Sequence, residues 1–118
     1  MQVKVRKRGK FAILEVSGKM LITNVDVLLE RFITLLNEGE RTFIIDMTKV
    51  SDTSTEGINT VVACRNKAVK RDGSVGLVLN ARLRYYYTIL FLDTIFEIFE
   101  DVEDALASPV GQSHAVRG

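Results

Sequence analysis

The chain has 118 residues, 47% hydrophobic and 26% charged, the balance of one ordinary folded domain and not of a disordered segment. Sixteen Lys and Arg against fifteen Asp and Glu leave a formal net charge of +1, too even to drive binding to a phosphate backbone, so nucleic acid is not an expected partner. A single cysteine, Cys64, excludes an internal disulfide framework and a multi-cysteine metal site and fits a reducing compartment, with the cytoplasm as the expected location.

From Gln2 to Val16 the residues Val3, Val5, Phe11, Ile13, Leu14 and Val16 alternate around Arg8-Gly9-Lys10, which predicts two strands joined by a tight turn. Lys4, Arg6, Lys7, Arg8 and Lys10 read as the solvated face of that edge hairpin. Asn24 is a candidate N-cap for a helix with apolar residues from Val25 to Leu36 at spacings of three and four, ending near Gly39. Arg41 to Met47 holds Phe43-Ile44-Ile45, an uninterrupted apolar run that predicts a central strand closed by Asp46, with a polar loop from Lys49 to Ser54 after it.

Ile58, Val61, Val62, Cys64, Ala68 and Val69 predict a second helix from about Thr55 to Arg71. A strand from Val75 to Leu79 follows, then a third helix capped by Asn80 and carrying Leu83, Tyr86, Tyr87, Leu90 and Phe91. Ile95 to Phe99 predicts a last strand, and Glu100 to Leu106 a short acidic helix stopped by Pro109. Strand and helix alternation of this kind predicts an α/β fold with a mixed, mostly parallel central sheet, an antiparallel N-terminal hairpin strand and about four helices. Residues 1–107 are expected to form the domain and 108–118 a disordered tail. No signal-like opening and no apolar run near the ~20 residues of a membrane span is found, so direct membrane insertion is not expected.

The segment from Asp46 to Gly57 joins a buried strand to a helix and carries hydroxyls at Thr48, Ser51, Thr53, Ser54 and Thr55. In α/β sheets this strand edge is where sites form. A helix start leaves about four amides unpaired and carries roughly half a positive charge, so a phosphate on Thr55 would be stabilised there. The plainer reading is that Ser54 or Thr55 is an ordinary N-cap.

The stretch from Phe43 to Leu106 resembles the STAS family, in which a buried strand leads through a loop to a helix that begins at an Asp-Ser-Ser-Gly signature. Here the corresponding residues are Ser54-Thr55-Glu56-Gly57, and Asp72 to Asn80, Asp93 to Phe99 and Glu100 to Leu106 resemble the family's later segments. The resemblance implies a STAS-like domain acting as an anti-sigma factor antagonist. It would bind a kinase-type anti-sigma factor, a serine-threonine protein kinase, and be switched off by phosphorylation at Thr55, with Asp52, Thr53, Ser54, Glu56, Gly57 and Asn59 forming the partner surface. Ser54 stands in place of the signature's Asp and Glu56 in place of its second Ser. Three outcomes stay open: slower phosphorylation of Thr55, a move to Ser54, or a scaffold or sensing subunit of a signalling assembly or transporter with no regulated phosphate.

Other candidates are weaker. Cys64 has Val61 and Ala68 at helical spacing and reads as a core residue, and His114 is remote in the tail, so no catalytic pair or metal cluster is expected. Asp46 and Asp52 as magnesium ligands lack the acceptor arrangement of a receiver domain. Tyr85, Tyr86 and Tyr87, with Arg82 and Arg84, are spread about 100° apart on a helix and do not form one stacking platform. No enzyme activity and no cofactor is expected; a small-ligand module would need an apolar pocket that sequence does not show.

Overall fold

The structure, a computed structural model, describes residues 1–108. Strands β1 (Gln2–Arg8) and β2 (Phe11–Met20) are followed by α1 (Asp26–Asn37), β3 (Thr42–Thr53), α2 (Thr55–Val69), β4 (Ser74–Leu79) and α3 (Ala81–Ile89). A 3-10 turn (Leu92–Thr94), β5 (Glu97–Phe99) and α4 (Val102–Ala107) complete the order. The five strands lie side by side in chain order, β1 antiparallel to β2 and every later pair parallel. Gly9, at φ +57°, supplies the positive φ that the two-residue turn between β1 and β2 needs. The tail expected from residue 108 onward lies, apart from Ser108, outside the described residues.

The alternation of β3 divides the core. Phe43, Ile45 and Met47 face one side of the sheet, where they pack with Leu28, Phe32 and Leu36 of α1, Val61, Cys64 and Ala68 of α2, and Leu83 and Tyr87 of α3. The Phe32 and Phe43 rings approach to 4.3 Å between centroids. Ile44 faces the other side with Phe11, Ile13 and Val78, covered by Ala105 of α4. Every residue of β4 is buried, as expected of a strand with neighbours on both edges and cover on both faces.

Several expected boundaries move. The segment read as a polar loop from Lys49 to Ser54 is the outer half of β3, which runs to Thr53 because β2 itself extends to Met20 and pairs with it. That pairing contains register shifts between Glu15 and Ser17 and between Gly18 and Lys19. They explain why the period of two fades there. Asn24 is not the cap of α1: its side chain accepts from the Leu21 amide at 2.9 Å and donates to the Lys19 carbonyl at 3.0 Å, fastening the turn before a helix that starts at Asp26. α2 ends at Val69 and α4 begins at Val102, capped by Asp101. α3 stops at Ile89, because Phe91 takes a left-handed conformation at φ +59°, and the 3-10 turn then shortens the last strand to three residues.

The basic hairpin is paired with acids: Arg6 with Glu15 at 3.1 Å, Arg8 with Glu103 at 3.5 Å, and Lys7 with Glu40. These are exposed pairs of small energetic weight, and they leave no concentrated basic stripe.

Candidate functional site

The junction between β3 and α2 is built by a change of conformation at one residue. Ser54 is extended, at φ −85° and ψ 171°, and its hydroxyl accepts from the Gly57 amide at 3.3 Å, so Ser54 is the N-cap of α2. Its own amide donates to the Met20 carbonyl at 2.9 Å, tying the helix start to the end of β2. Thr55 is the first helical residue, is exposed, and its side chain takes part in no hydrogen bond among the described residues. Two adjacent hydroxyls therefore hold different positions: Ser54 is engaged by the fold and Thr55 faces solvent.

The neighbouring residues position this start. Asp52 accepts from the Thr53 amide at 2.9 Å, and the Thr53 hydroxyl donates to the Ser54 carbonyl at 3.0 Å. Gly57 is buried, and a Cβ there would lie 2.2 Å from Thr53 Oγ1 and 3.0 Å from Met20 Cβ. Only a residue without a side chain lets α2 seat this closely on the ends of β2 and β3. Glu56 and Asn59 are exposed beside Thr55, whereas Thr53 is half-buried. The site is thus a small solvent-facing surface over a closely packed base.

Two features of this surface carry no local sequence signal. Arg82, thirty positions from Asp52, lies 3.8 Å from its carboxylate, with both side chains well exposed. Leu21 and Ile22, 42% and 66% exposed, follow Met20 directly and give the site an apolar border. The loop from Gly18 to Asn24 thereby borders the same surface with exposed apolar side chains. Asn80 anchors the same edge from the other side, donating to the Val50 carbonyl at 2.8 Å while its side-chain oxygen caps α3 through the Leu83 amide at 2.9 Å.

Electrostatically the helix start favours an anion, since the Thr55 and Glu56 amides have no backbone acceptor among the described residues. Glu56 already places one carboxylate in the first turn. Cys64 is fully buried, and burial pushes its thiol up to about 12, the opposite of what a nucleophile needs. Asp46 accepts from both the amide and the hydroxyl of Thr48, at 3.0 and 2.8 Å, a local turn contact. No group of three His, Cys, Asp or Glu among the described residues is arranged to hold a metal ion, and His114 lies outside them. Of the three tyrosines Tyr87 is buried and Tyr85 is 64% exposed, so they present no common face.

A mostly parallel five-stranded sheet with three helices on one face, one on the other, and a hydroxyl-rich helix start at the carboxyl end of a central strand defines a small α/β domain of SpoIIAA-like fold. The STAS domain model matches residues 2–105, and the chain belongs to that family. Among solved structures it is similar to an anti-sigma factor antagonist from Mycobacterium paratuberculosis, with a TM-score of 0.83 at 21% identity over 99% of this chain and 94% of that one. A putative anti-sigma factor antagonist from Thermotoga maritima superposes with a TM-score of 0.82 at 17% identity, covering 88% of this chain and 91% of that one. The Bacillus cell fate determinant SpoIIAA in its phosphorylated form gives 0.71 at 14% identity, covering 89% and 96%. No curated protein sequence matches significantly. No helix among the described residues is long and apolar enough to cross a membrane.

Proposed function

We propose that this chain is an anti-sigma factor antagonist of the cytoplasm, without catalytic activity, that binds a kinase-type anti-sigma factor and is released when that serine-threonine kinase phosphorylates Thr55. The observation that carries this reading is the exposed, uncommitted Thr55 hydroxyl at the start of a 15-residue helix. Ser54 is the poorer acceptor because its oxygen is already the cap. Asp52, Glu56 and Asn59 form the polar part of the docking surface and Leu21 and Ile22 its apolar part, while Thr53 and Gly57 hold the base beneath.

A phosphate on Thr55 adds about −1.5 to −2 charge at pH 7. The helix start attracts that charge and Glu56, one residue on, repels it; the modified domain keeps its fold while its surface there becomes more negative. An apolar and acidic contact made before modification would then be opposed. The test is to incubate the protein with its cognate kinase and ATP and to map the product. Phosphate on Thr55, kinase binding retained by Thr55→Ala and lost in Thr55→Glu support the switch; an unmodified Thr55, or full binding by Thr55→Glu, overturns it.

Glu56 favours a second reading, a scaffold or sensing subunit without regulated phosphorylation, because a carboxylate already occupies the first turn where the charge would act. Such a subunit would co-elute with its native partners in one large complex whether residue 55 is Thr, Ala or Glu.

A further inference from the structure

Phe91 is unfavourable twice over. It occupies a left-handed conformation, φ +59° and ψ 24°, at the position after a helix where glycine is the favoured residue, and the residue is 74% exposed. Around it Tyr85, Ile89, Leu90 and Ile95 are 64%, 53%, 51% and 40% exposed. These five large apolar side chains, on the second half of α3 and the turn after it, expose roughly 500 Å² between them, within the range of the largest apolar patches on small proteins, which are often functional. Nothing in the packing of the domain requires them to be outside.

The same helix carries a groove of about 560 Å³, lined by Asn80, Ala81, Arg84, Tyr85, Thr88 and Glu100. Tyr85 belongs to both the groove and the patch, and with Thr88 and Ile89 it shares one side of α3. A projecting ring thus stands just past the carboxyl end of α3, and a hollow runs along the helix from Asn80 to Thr88. Charge is unevenly placed along α3: Arg82 and Arg84 lie in its first half, Arg84 lining the hollow together with Glu100, and Asp93 lies just beyond the ring. Arg82 makes an exposed 3.8 Å contact with Asp52, and Arg84 a 3.4 Å contact with Glu100.

We infer that this face pairs with a second copy of the chain, two α3 helices crossing antiparallel so that Phe91 of each enters the Asn80–Thr88 groove of the other. A two-fold contact needs a surface complementary to itself, which a ring just past the end of a helix and a hollow along its side provide. Antiparallel crossing also sets the acidic end of each helix against the basic end of its mate, with the Arg84 guanidinium available to the incoming ring. The apolar patch supplies the centre of an interface that in stable pairs buries about 800 Å² per partner, and Arg82 and Asp93 supply its rim. The pairing does not depend on the chemistry of Thr55 and goes beyond the switch proposed above.

The experiment is sedimentation equilibrium of the full 118-residue chain from about 5 to 500 μM, the range in which an interface of modest size dissociates. The wild type should rise from the 13.2 kDa monomer toward twice that mass. Phe91→Gly, which removes the ring and relieves the backbone, should melt no lower than wild type yet weaken association at least tenfold, and Ile89→Lys should do the same. Val27→Lys, exposed on α1 and outside the patch, should associate like wild type. A wild type that stays monomeric throughout, or variants that pair as well as it does, would overturn the inference. So would a monomeric wild type whose binding to its kinase is lost in Phe91→Gly, which would assign the patch to that partner.

Discussion

Replacing Gly57 by alanine adds one methyl group at the point where α2 meets the ends of β2 and β3. Gly57 sits in the first turn of a regular helix, so intrinsic propensity alone would favour alanine by about 0.5–1 kcal/mol. The packing opposes it. The new Cβ would fall 2.2 Å from Thr53 Oγ1, 3.0 Å from Met20 Cβ and 3.5 Å from the Met20 carbonyl oxygen. Thr53 can rotate away only by giving up its 3.0 Å bond to the Ser54 carbonyl, worth about 1 kcal/mol, and Met20 is 1% exposed and has nowhere to go. Overpacking of this kind costs about 1–3 kcal/mol, so the net destabilisation should be about 1–3 kcal/mol, a fall in melting temperature of roughly 4–12 °C for a domain of this size. Calorimetry or urea titration reads it, and the double variant with Thr53→Ala should recover part of the loss because the nearest atom is gone. If Gly57→Ala melts at or above the wild-type temperature, the close seating of α2 is wrong, and with it the placement of Thr55.

Three further outcomes follow from the same contacts. Ser54→Ala removes the cap of α2 and should cost about 1 kcal/mol by thermal melting, while leaving phosphate incorporation at Thr55 measurable by mass spectrometry. Asn80→Ala removes the cap of α3 and the donor to the Val50 carbonyl together and should cost about 2–3 kcal/mol in urea titration, more than either contact alone. Cys64 should resist a thiol reagent at pH 8 in the native protein and react at once in urea, because burial holds its thiol protonated up to about 12. Below pH 9, the ordinary value for the group, both folded and unfolded states keep that proton and stability is unaffected. Above it only the unfolded chain ionises, so stability should fall by roughly 1 kcal/mol per pH unit between about 9 and 12. The slope should flatten in Cys64→Ala.

The order of elements was legible because each central strand and each helix buries a continuous apolar set. Phe43-Ile44-Ile45 is covered on both faces, and Leu28, Phe32 and Leu36 recur at the helical period. The outer half of β3 was not legible, because it pairs with β2 alone: β4 ends its pairing at Met47, leaving Val50 as the one buried side chain in a polar run. Asn24 deceived for a different reason. Asparagine serves a turn as readily as a helix cap, and only the fold decides which amide it accepts from. At the site itself the helix start at Thr55 was visible from its spacing, whereas the contact of Arg82 with Asp52 joins positions far apart in sequence. The break at Phe91 had no glycine or proline to announce it.

The division between Ser54 and Thr55 bears on how often a signal could be written and erased at this position. One oxygen fastens the first turn and its neighbour is left over, so a chemical mark on the second asks for no melting and rebuilding of the first. A domain arranged in this way can be rewritten without passing through an unfolded intermediate. Under the proposed switch, the pace of signalling would then be set by the enzymes that visit it and not by the protein's own folding clock.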